Sequence, residues 1–152
     1  IEDFERLMQL YPSDANAICF CQGCFSEMGY DIPAAIERLG RHIAYAHFRN
    51  VRGCVPAFVE TFHDTGQVNM FDAIRAYQKI GFTGSMRPDH VPVLAGEKTA
   101  GALILDVPPD DAVTADTFNS AQGDATIGYT MLGRLHAVGY MRGLMDAAGI
   151  AR

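Results

Sequence analysis

The chain has 152 residues, of which 49% are hydrophobic and 20% charged, a balance typical of one folded globular domain rather than a disordered chain. Its formal net charge of −6 argues against a nucleic-acid surface, because phosphate binding needs clustered Lys and Arg, but it leaves room for a small anionic substrate. No apolar run approaches the roughly 20 residues of a membrane span, and the amino-terminal residues lack the pattern of a secretory signal. We therefore expect a cytoplasmic protein without nucleic-acid or membrane partners.

The spacing of apolar residues predicts helices and short strands that alternate along the chain. Pro33 near the start and Gly40 at the end bound one of the helices, as is usual for these two residues. The last helix is apolar on most sides, so we expect it to be largely buried. In chain order the predictions are a helix over 2–10, a strand over 17–21, a helix over 32–40, a strand over 43–48, a helix over 70–81, a strand over 82–86 and a helix over 129–148.

This alternation predicts right-handed βαβ units and a parallel α/β sheet within a single domain over 1–152. Three strands are too few for a closed parallel barrel, which has eight strands and typically about 250 residues. The chain is therefore either a small open sheet or part of a larger barrel. Residues 91–127 are rich in Asp and weakly patterned, which predicts an irregular insertion or a functional lid.

Potential metal ligands stand at the ends of the predicted strands. The first strand ends at Cys21, the second reaches His47, and the third is followed by Asp89. Because ligand sites in parallel α/β structures form beyond the carboxyl ends of the strands, we expect these side chains to meet. A thiolate favours Zn²⁺, whereas imidazole and carboxylate also suit Mn²⁺ or Fe²⁺. The sequence predicts an open metal site, where Arg87 can bind an anion and His90 can move a proton.

Other interpretations of these residues stay open. Cys21 could be a small buried hydrophobe, His47 a core histidine and Asp89 a cap of the next turn. The segment "CQGC" over 21–24 also matches a thioredoxin-like redox pattern. Against that pattern, we expect no helix to start promptly after the second cysteine, and the histidine and carboxylate would have no role. The cysteines that we expect to be reduced in a cytoplasmic chain of this size are Cys19, Cys21, Cys24 and Cys54.

Five segments of the chain stand in a characteristic order. They are "NAICFC" ending at Cys21, "IAYAHFRNV" with His47 and Arg49, "FHDTGQVNM" from Phe62, "MRPDH" with Asp89 and His90, and "GYTMLGRLHAVGYMRGL" from Gly128. In this order they resemble the mannonate dehydratase family, over nearly the whole chain except 91–127. The combination of "MRPDH" with the "GY…GRL…RGL" pattern is the most specific part of the resemblance.

The resemblance implies that the chain is the carboxy-terminal part of a TIM (β/α)8 barrel of the xylose isomerase-like type. It implies loss of water from D-mannonate, a small anionic sugar acid, to give 2-keto-3-deoxygluconate, with Mn²⁺ or Fe²⁺ at the strand ends; we also expect a homo-oligomer. By motif match, the site residues are Cys21, His47 and Asp89 as metal ligands, His90 and Tyr129 for proton transfer, and Arg49, beside Arg87, as a contact of the substrate carboxylate.

Two features depart from the family pattern. The family's remaining metal-binding histidine lies upstream of the matched region, and the stretch between His90 and Tyr129 is longer than the family's usual linker. Two alternatives to the dehydratase interpretation therefore remain. One is a sugar isomerase or epimerase on the same barrel, and the other is a non-catalytic, truncated barrel module that self-associates.

Overall fold

The computed structural model describes residues 1–92 and 131–150, so Tyr129 and nearly all of the predicted lid over 91–127 lie outside the described residues. Within that part, no helix is both long and apolar enough to cross a membrane. The elements in chain order are α1 (Glu2–Leu10), β1 (Ile18–Cys21), α2 (Gln22–Glu27), α3 (Ile32–Leu39), a 3-10 turn (Gly40–His42), β2 (Ile43–His47), β3 (Asn50–Cys54), β4 (Ala57–Thr61), α4 (Met70–Lys79), β5 (Ser85–Arg87) and α5 (Met131–Ala147).

Strands β1, β2 and β5 form a parallel sheet with β2 in the middle. Cys21 pairs with His47, and His47 pairs with Arg87, so the three strands end at the same level. This arrangement confirms the predicted parallel α/β organisation. It follows from the alternation of helices and strands, since a parallel connection needs a crossover element between the strands.

The third strand begins later than predicted. The prediction covered 82–86, whereas β5 spans Ser85–Arg87. Phe82 instead follows the carboxyl end of α4 and packs on that helix, because its backbone N–H donates to the carbonyl of Tyr77 at 3.0 Å and the two rings lie 5.2 Å apart. The apolar character of residue 82 therefore reflects packing on the preceding helix and not a place in the sheet.

One face of the sheet packs against helices α2, α3 and α4 in a single core. Ile18 and Phe20 of β1 are buried in this core, and the Phe20 ring stacks on Phe25 at 4.5 Å. Cys19 is exposed and Cys21 is half-buried, as expected for alternate residues of a strand that point to the opposite face. The core thus fixes which face of the sheet carries the candidate ligands.

Strands β3 and β4 form an antiparallel hairpin that the sequence patterns do not predict. Its turn lacks an Asn-Gly or Asp-Gly pair, and β4 is mostly exposed, so the usual signals of a hairpin are missing. The side-chain amide of Asn50 anchors it by donating to the carbonyls of His63 and Val68, each at 3.0 Å. Only Phe48 and Arg49 separate the hairpin from β2, so it begins beside the carboxyl edge of the sheet.

Helix α5 is much more exposed than predicted. Its buried residues are Gly133, Ala137 and Met141, which form one narrow stripe. Its carboxyl end lies beside α4, where the Gln78 side chain donates to the carbonyl of Ala148 at 3.3 Å. Within the described part of the chain, other residues cover only this stripe of α5, so the prediction of a largely buried helix was wrong there. The large apolar side chains left exposed on α5 are Met131, Leu132, Leu135 and Val138.

His63, in the loop between β4 and α4, is completely buried. Its Nε2 lies 3.1 Å from the carbonyl oxygen of Pro88. Burial disfavours the charged imidazolium and lowers the pKa of His63 below its ordinary value. The folded protein therefore holds this histidine neutral.

We expect His63 to make folding weaker in mild acid. In the unfolded chain His63 takes up a proton at the ordinary pKa of about 6.5, whereas in the folded protein its pKa is lower. The contribution of His63 to the free energy of unfolding is therefore complete above about pH 6.5. That contribution is lost as the pH falls through the lowered pKa of the folded state. Urea unfolding of the wild type and of His63→Gln, from about pH 8 to pH 5, measures the effect. The stability difference between them should shrink as the pH falls, and a constant difference would contradict the prediction; His42→Gln serves as control.

Candidate functional site

The structure brings Cys21, His47 and Asp89 together at the carboxyl edge of the sheet. One ligand atom from each residue lies within 4.8 Å of the other two. The Cys21 Sγ is 3.9 Å from Asp89 Oδ2, and His47 Nδ1 is 3.5 Å from the same oxygen. This is the convergence that the sequence predicted from the strand ends, and the three side chains could hold a metal ion. Their individual roles as ligands stay predictions.

Asp89 reaches the other two residues through a tight turn after β5. Its backbone has φ of 54°, in the left-handed region that Asp enters more readily than most residues. The side chain is almost completely buried, and Arg87 Nη2 donates to its Oδ1 at 2.8 Å. Burial alone would raise the pKa of Asp89, but the hydrogen bond from Arg87 and the nearby cationic side chains lower it overall. The carboxylate is therefore ionised at neutral pH, as a metal ligand must be.

Arg49 is buried behind the cluster and faces several acidic groups. Its Nη1 donates to Glu60 Oε1 at 2.6 Å, its Nε lies 3.2 Å from Asp89 Oδ2, and its Nη2 lies 3.5 Å from Glu27 Oε2. The same Nη2 donates to the sulfur of Cys24 at 3.3 Å. The sequence resemblance implied that Arg49 contacts a substrate carboxylate. In the structure its guanidinium is engaged with carboxylates of the protein itself, and the substrate role stays a prediction.

The Cys21–Cys24 pair is tuned for one thiolate. The hydrogen bond from the Cys24 thiol outweighs the effect of burial, and with the Arg49 charge it lowers the pKa of Cys21 to about 5. The same hydrogen bond and burial raise the pKa of Cys24. These opposite shifts favour a thiolate at Cys21 over one at Cys24. A thiolate is the form of cysteine that binds metals.

A helix begins directly after the first cysteine, Cys21, whereas the sequence expectation concerned the residues after the second cysteine, Cys24. Helix α2 starts at Gln22 and contains Cys24, so the absence of a prompt helix cannot count against the thioredoxin-like pattern. The short segment forms a helix because Phe25 is buried in the core against Phe20. The metal-site and redox interpretations now differ in whether they explain the neighbours of Cys21. Cys21 lies beside His47 and Asp89, which have no role in a thioredoxin-like redox pattern.

The glycine of "CQGC" makes room for the arginine. A Cβ at Gly23 would lie 2.5 Å from Arg49 Cζ and Nε, far inside van der Waals contact. We expect Gly23→Ala to push Arg49 away and to lower the free energy of unfolding by about 1–3 kcal/mol. The control is Gly139→Ala in α5, where nothing lies within 4 Å of the added Cβ; there alanine should raise stability by about 0.5–1 kcal/mol. In thermal and urea unfolding, Gly23→Ala should therefore be less stable than the wild type and Gly139→Ala more stable.

The remaining predicted site residues lie around the same edge. Arg87, with a side chain 39% exposed, is open to solvent on one side while it holds Asp89. His90 follows Asp89, and its Nδ1 lies 3.1 Å from Glu60 Oε1; this hydrogen bond raises the pKa of His90. Glu60 could not be identified from the sequence, because no strand signal marks the hairpin that carries it. Tyr129 lies outside the described residues.

Metal-type donors at the carboxyl edge of a parallel sheet are characteristic of α/β enzymes, whose ligand sites form at that edge. Residues 1–106 match the D-mannonate dehydratase (UxuA) family, and the chain belongs to that family. The resemblance seen in the sequence motifs is thereby confirmed.

Individual relatives agree with this assignment. Mannonate dehydratase 2 of Halalkalibacterium halodurans is 39% identical over 102 residues, which are 63% of this chain and 30% of that protein. The mannonate dehydratase of Shouchella clausii is 42% identical over 90 residues, which are 57% of this chain and 25% of that protein. The crystal structure of mannonate dehydratase from Streptococcus suis serotype 2 superposes with a TM-score of 0.69 at 25% identity, covering 99% of this chain and 39% of that one. The chain thus matches well under half the length of these relatives.

Proposed function

We propose that this chain forms the metal-binding edge of a dehydratase active site that removes water from D-mannonate and yields 2-keto-3-deoxy-D-gluconate. The observation that carries the proposal is the convergence of Cys21, His47 and Asp89 within 4.8 Å in a member of the D-mannonate dehydratase family. A cluster of this composition at strand ends, in a chain of this family, supports dehydration over redox chemistry.

The donor set fits a divalent metal ion. It combines a thiolate, an imidazole and a buried carboxylate, which are ligand types of Mn²⁺, Fe²⁺ and Zn²⁺. We propose Mn²⁺ or Fe²⁺, with Zn²⁺ as the alternative that ligand softness allows. Three protein ligands leave coordination positions open, as in catalytic sites. When bound there, the cation would stabilise the negative charge that develops on the substrate carboxylate as the C2 proton leaves.

The protein's own groups account for the proton transfers and for substrate orientation. Dehydration takes the proton from C2, protonates the departing C3 hydroxyl so that it leaves as water, and ends when the enol becomes a ketone. We propose that His90 performs one of these transfers and Tyr129 the other. Arg87 is a cation at this edge with a partly exposed side chain, which suits it to contact the anionic end of a sugar acid.

We also propose that these elements form part of a (β/α)8 barrel. Among the described residues, β1 and β5 each pair with one neighbour only, and α5 exposes Met131, Leu135 and Val138. Unpaired strand edges and exposed apolar stripes favour association. We therefore propose further barrel elements beside this sheet and a homo-oligomer; sedimentation analysis that finds only a stable monomer would argue against the oligomer.

A direct assay tests the proposed reaction. Purified protein loaded with Mn²⁺ should form a 2-keto acid from D-mannonate, detected as its semicarbazone, and should leave aldoses and ketoses unchanged. His90→Asn should lower kcat by about 10²–10⁴-fold, whereas His42→Asn, at the opposite edge of the sheet, should not. Isomerisation of a sugar by the loaded protein, or no 2-keto acid from D-mannonate, would contradict the proposal.

A further inference from the structure

Glu60 links the candidate proton-transfer residue to the buried arginine. Its Oε1 lies 3.1 Å from His90 Nδ1 and accepts a hydrogen bond from Arg49 Nη1 at 2.6 Å. The carboxylate stands on β4, in the hairpin that only the structure revealed. Arg49 lies directly before β3, in the link that follows β2, and His90 lies in the turn after β5.

Arg49 makes this carboxylate a fixed acceptor. Arg49 is 5% exposed, and its guanidinium also lies near Asp89 and Glu27, at 3.2 and 3.5 Å. A planar guanidinium with several partners has little rotational freedom, so it fixes the position of Glu60 Oε1 as well. Asp89 of the candidate metal cluster is thus connected to His90 through the side chains of Arg49 and Glu60.

We propose that Glu60 is the positioning residue of His90 in the dehydration reaction, an inference that rests on the proposed function. A carboxylate beside Nδ1 keeps the proton on that nitrogen in the neutral imidazole and fixes the ring plane. Proton exchange with the substrate then takes place at Nε2. Carboxylate–histidine pairs act in this way where a histidine must hold one tautomer.

A purely structural role is the competing explanation, in which Glu60 only offsets the buried charge of Arg49. The chain offers a matched control for that explanation. Glu27 lies beside the same guanidinium, 3.5 Å from its Nη2, and its described contacts are with Arg49 and not with His90. Replacing Glu27 or Glu60 removes one carboxylate from beside the Arg49 guanidinium. Only the replacement of Glu60 also removes the carboxylate beside His90 Nδ1.

Kinetics of Glu60→Met and Glu27→Met separate the two roles. We expect Glu60→Met to lower kcat for D-mannonate by about 10–100-fold with KM within about twofold of the wild type. Glu27→Met should retain kcat within about threefold of the wild type, although both variants lose stability. Equal kcat values in the two variants would overturn the inference while leaving the proposed function intact.

A second measurement does not depend on turnover. Nitrogen-15 NMR of zinc-loaded protein, at a pH where the imidazole is neutral, reports which ring nitrogen of His90 carries the proton, and His90→Gln assigns the signal. We expect the proton on Nδ1 in the wild type and in Glu27→Met, and on Nε2 in Glu60→Met. An unchanged tautomer in Glu60→Met overturns the inference, whereas failure of the wild type to dehydrate D-mannonate counts against the proposed function alone.

Discussion

Replacing Asp89 with asparagine should abolish binding of a divalent cation by this protein. Asp89 is the residue that joins the cluster, because its Oδ2 lies 3.9 Å from Cys21 Sγ and 3.5 Å from His47 Nδ1. Asparagine keeps the shape of the side chain but replaces an anionic oxygen with a neutral amide. Only Cys21 and His47 of the cluster are then left to bind a divalent cation. The positive charges of Arg87 and Arg49, which Asp89 balances in the wild type, would repel that cation. We expect dehydratase activity to fall with the metal, by about 10³-fold or more.

Elemental analysis of the purified protein measures this effect. Metal content should fall from about one ion per chain to near zero in Asp89→Asn and in Cys21→Ser. It should stay at the wild-type level in Asp14→Asn, which changes an exposed carboxylate that precedes the amino end of β1. Loading with Co²⁺ adds a spectroscopic check, since a thiolate–cobalt charge-transfer band should be present in the wild type and absent in Cys21→Ser. Unchanged metal content in both cluster variants would exclude the site.

Replacing Arg49 with methionine should cause the largest loss of stability among single changes at this edge. Methionine fills similar space, but Glu60, Asp89 and Glu27 then face one another without the cation that separates them. Removing one partner of a buried ion pair typically costs about 3–5 kcal/mol, because the remaining charges stay buried and uncompensated. Arg49→Lys should recover only part of this loss, since one ammonium cannot reach all three carboxylates.

Urea denaturation of Arg49→Met beside Arg38→Met tests that expectation. Arg38 also pairs with two carboxylates, Glu5 at 2.7 Å and Glu2 at 2.9 Å, but its side chain is 44% exposed. Water and ions screen such a surface network, so its loss should change the free energy of unfolding far less. Similar losses in the two variants would show that burial of Arg49 does not govern its contribution.

Much of the framework was predictable because it depends on local patterns. The helices that end near Gly40 and Gly81 and the strands that end at Cys21 and His47 follow from apolar spacing and from helix stop signals. The rule that parallel strands present their carboxyl ends at one edge then sufficed to bring Asp89 to the same place. One error arose where an apolar residue packs on a neighbouring element, as Phe82 does on α4.

The sequence by itself therefore determined the parallel α/β arrangement and the meeting of Cys21, His47 and Asp89, since periodicity and strand order are encoded in short stretches of chain. Only the tertiary structure decided which carboxylates surround Arg49 and that Glu60 lies beside His90 Nδ1. Those partners are distant in sequence, and their pairing depends on how a hairpin without a strong strand pattern packs beside the sheet. The ion-pair partners of a buried charge are set by the residues that the fold places around it, and local sequence patterns do not predict them.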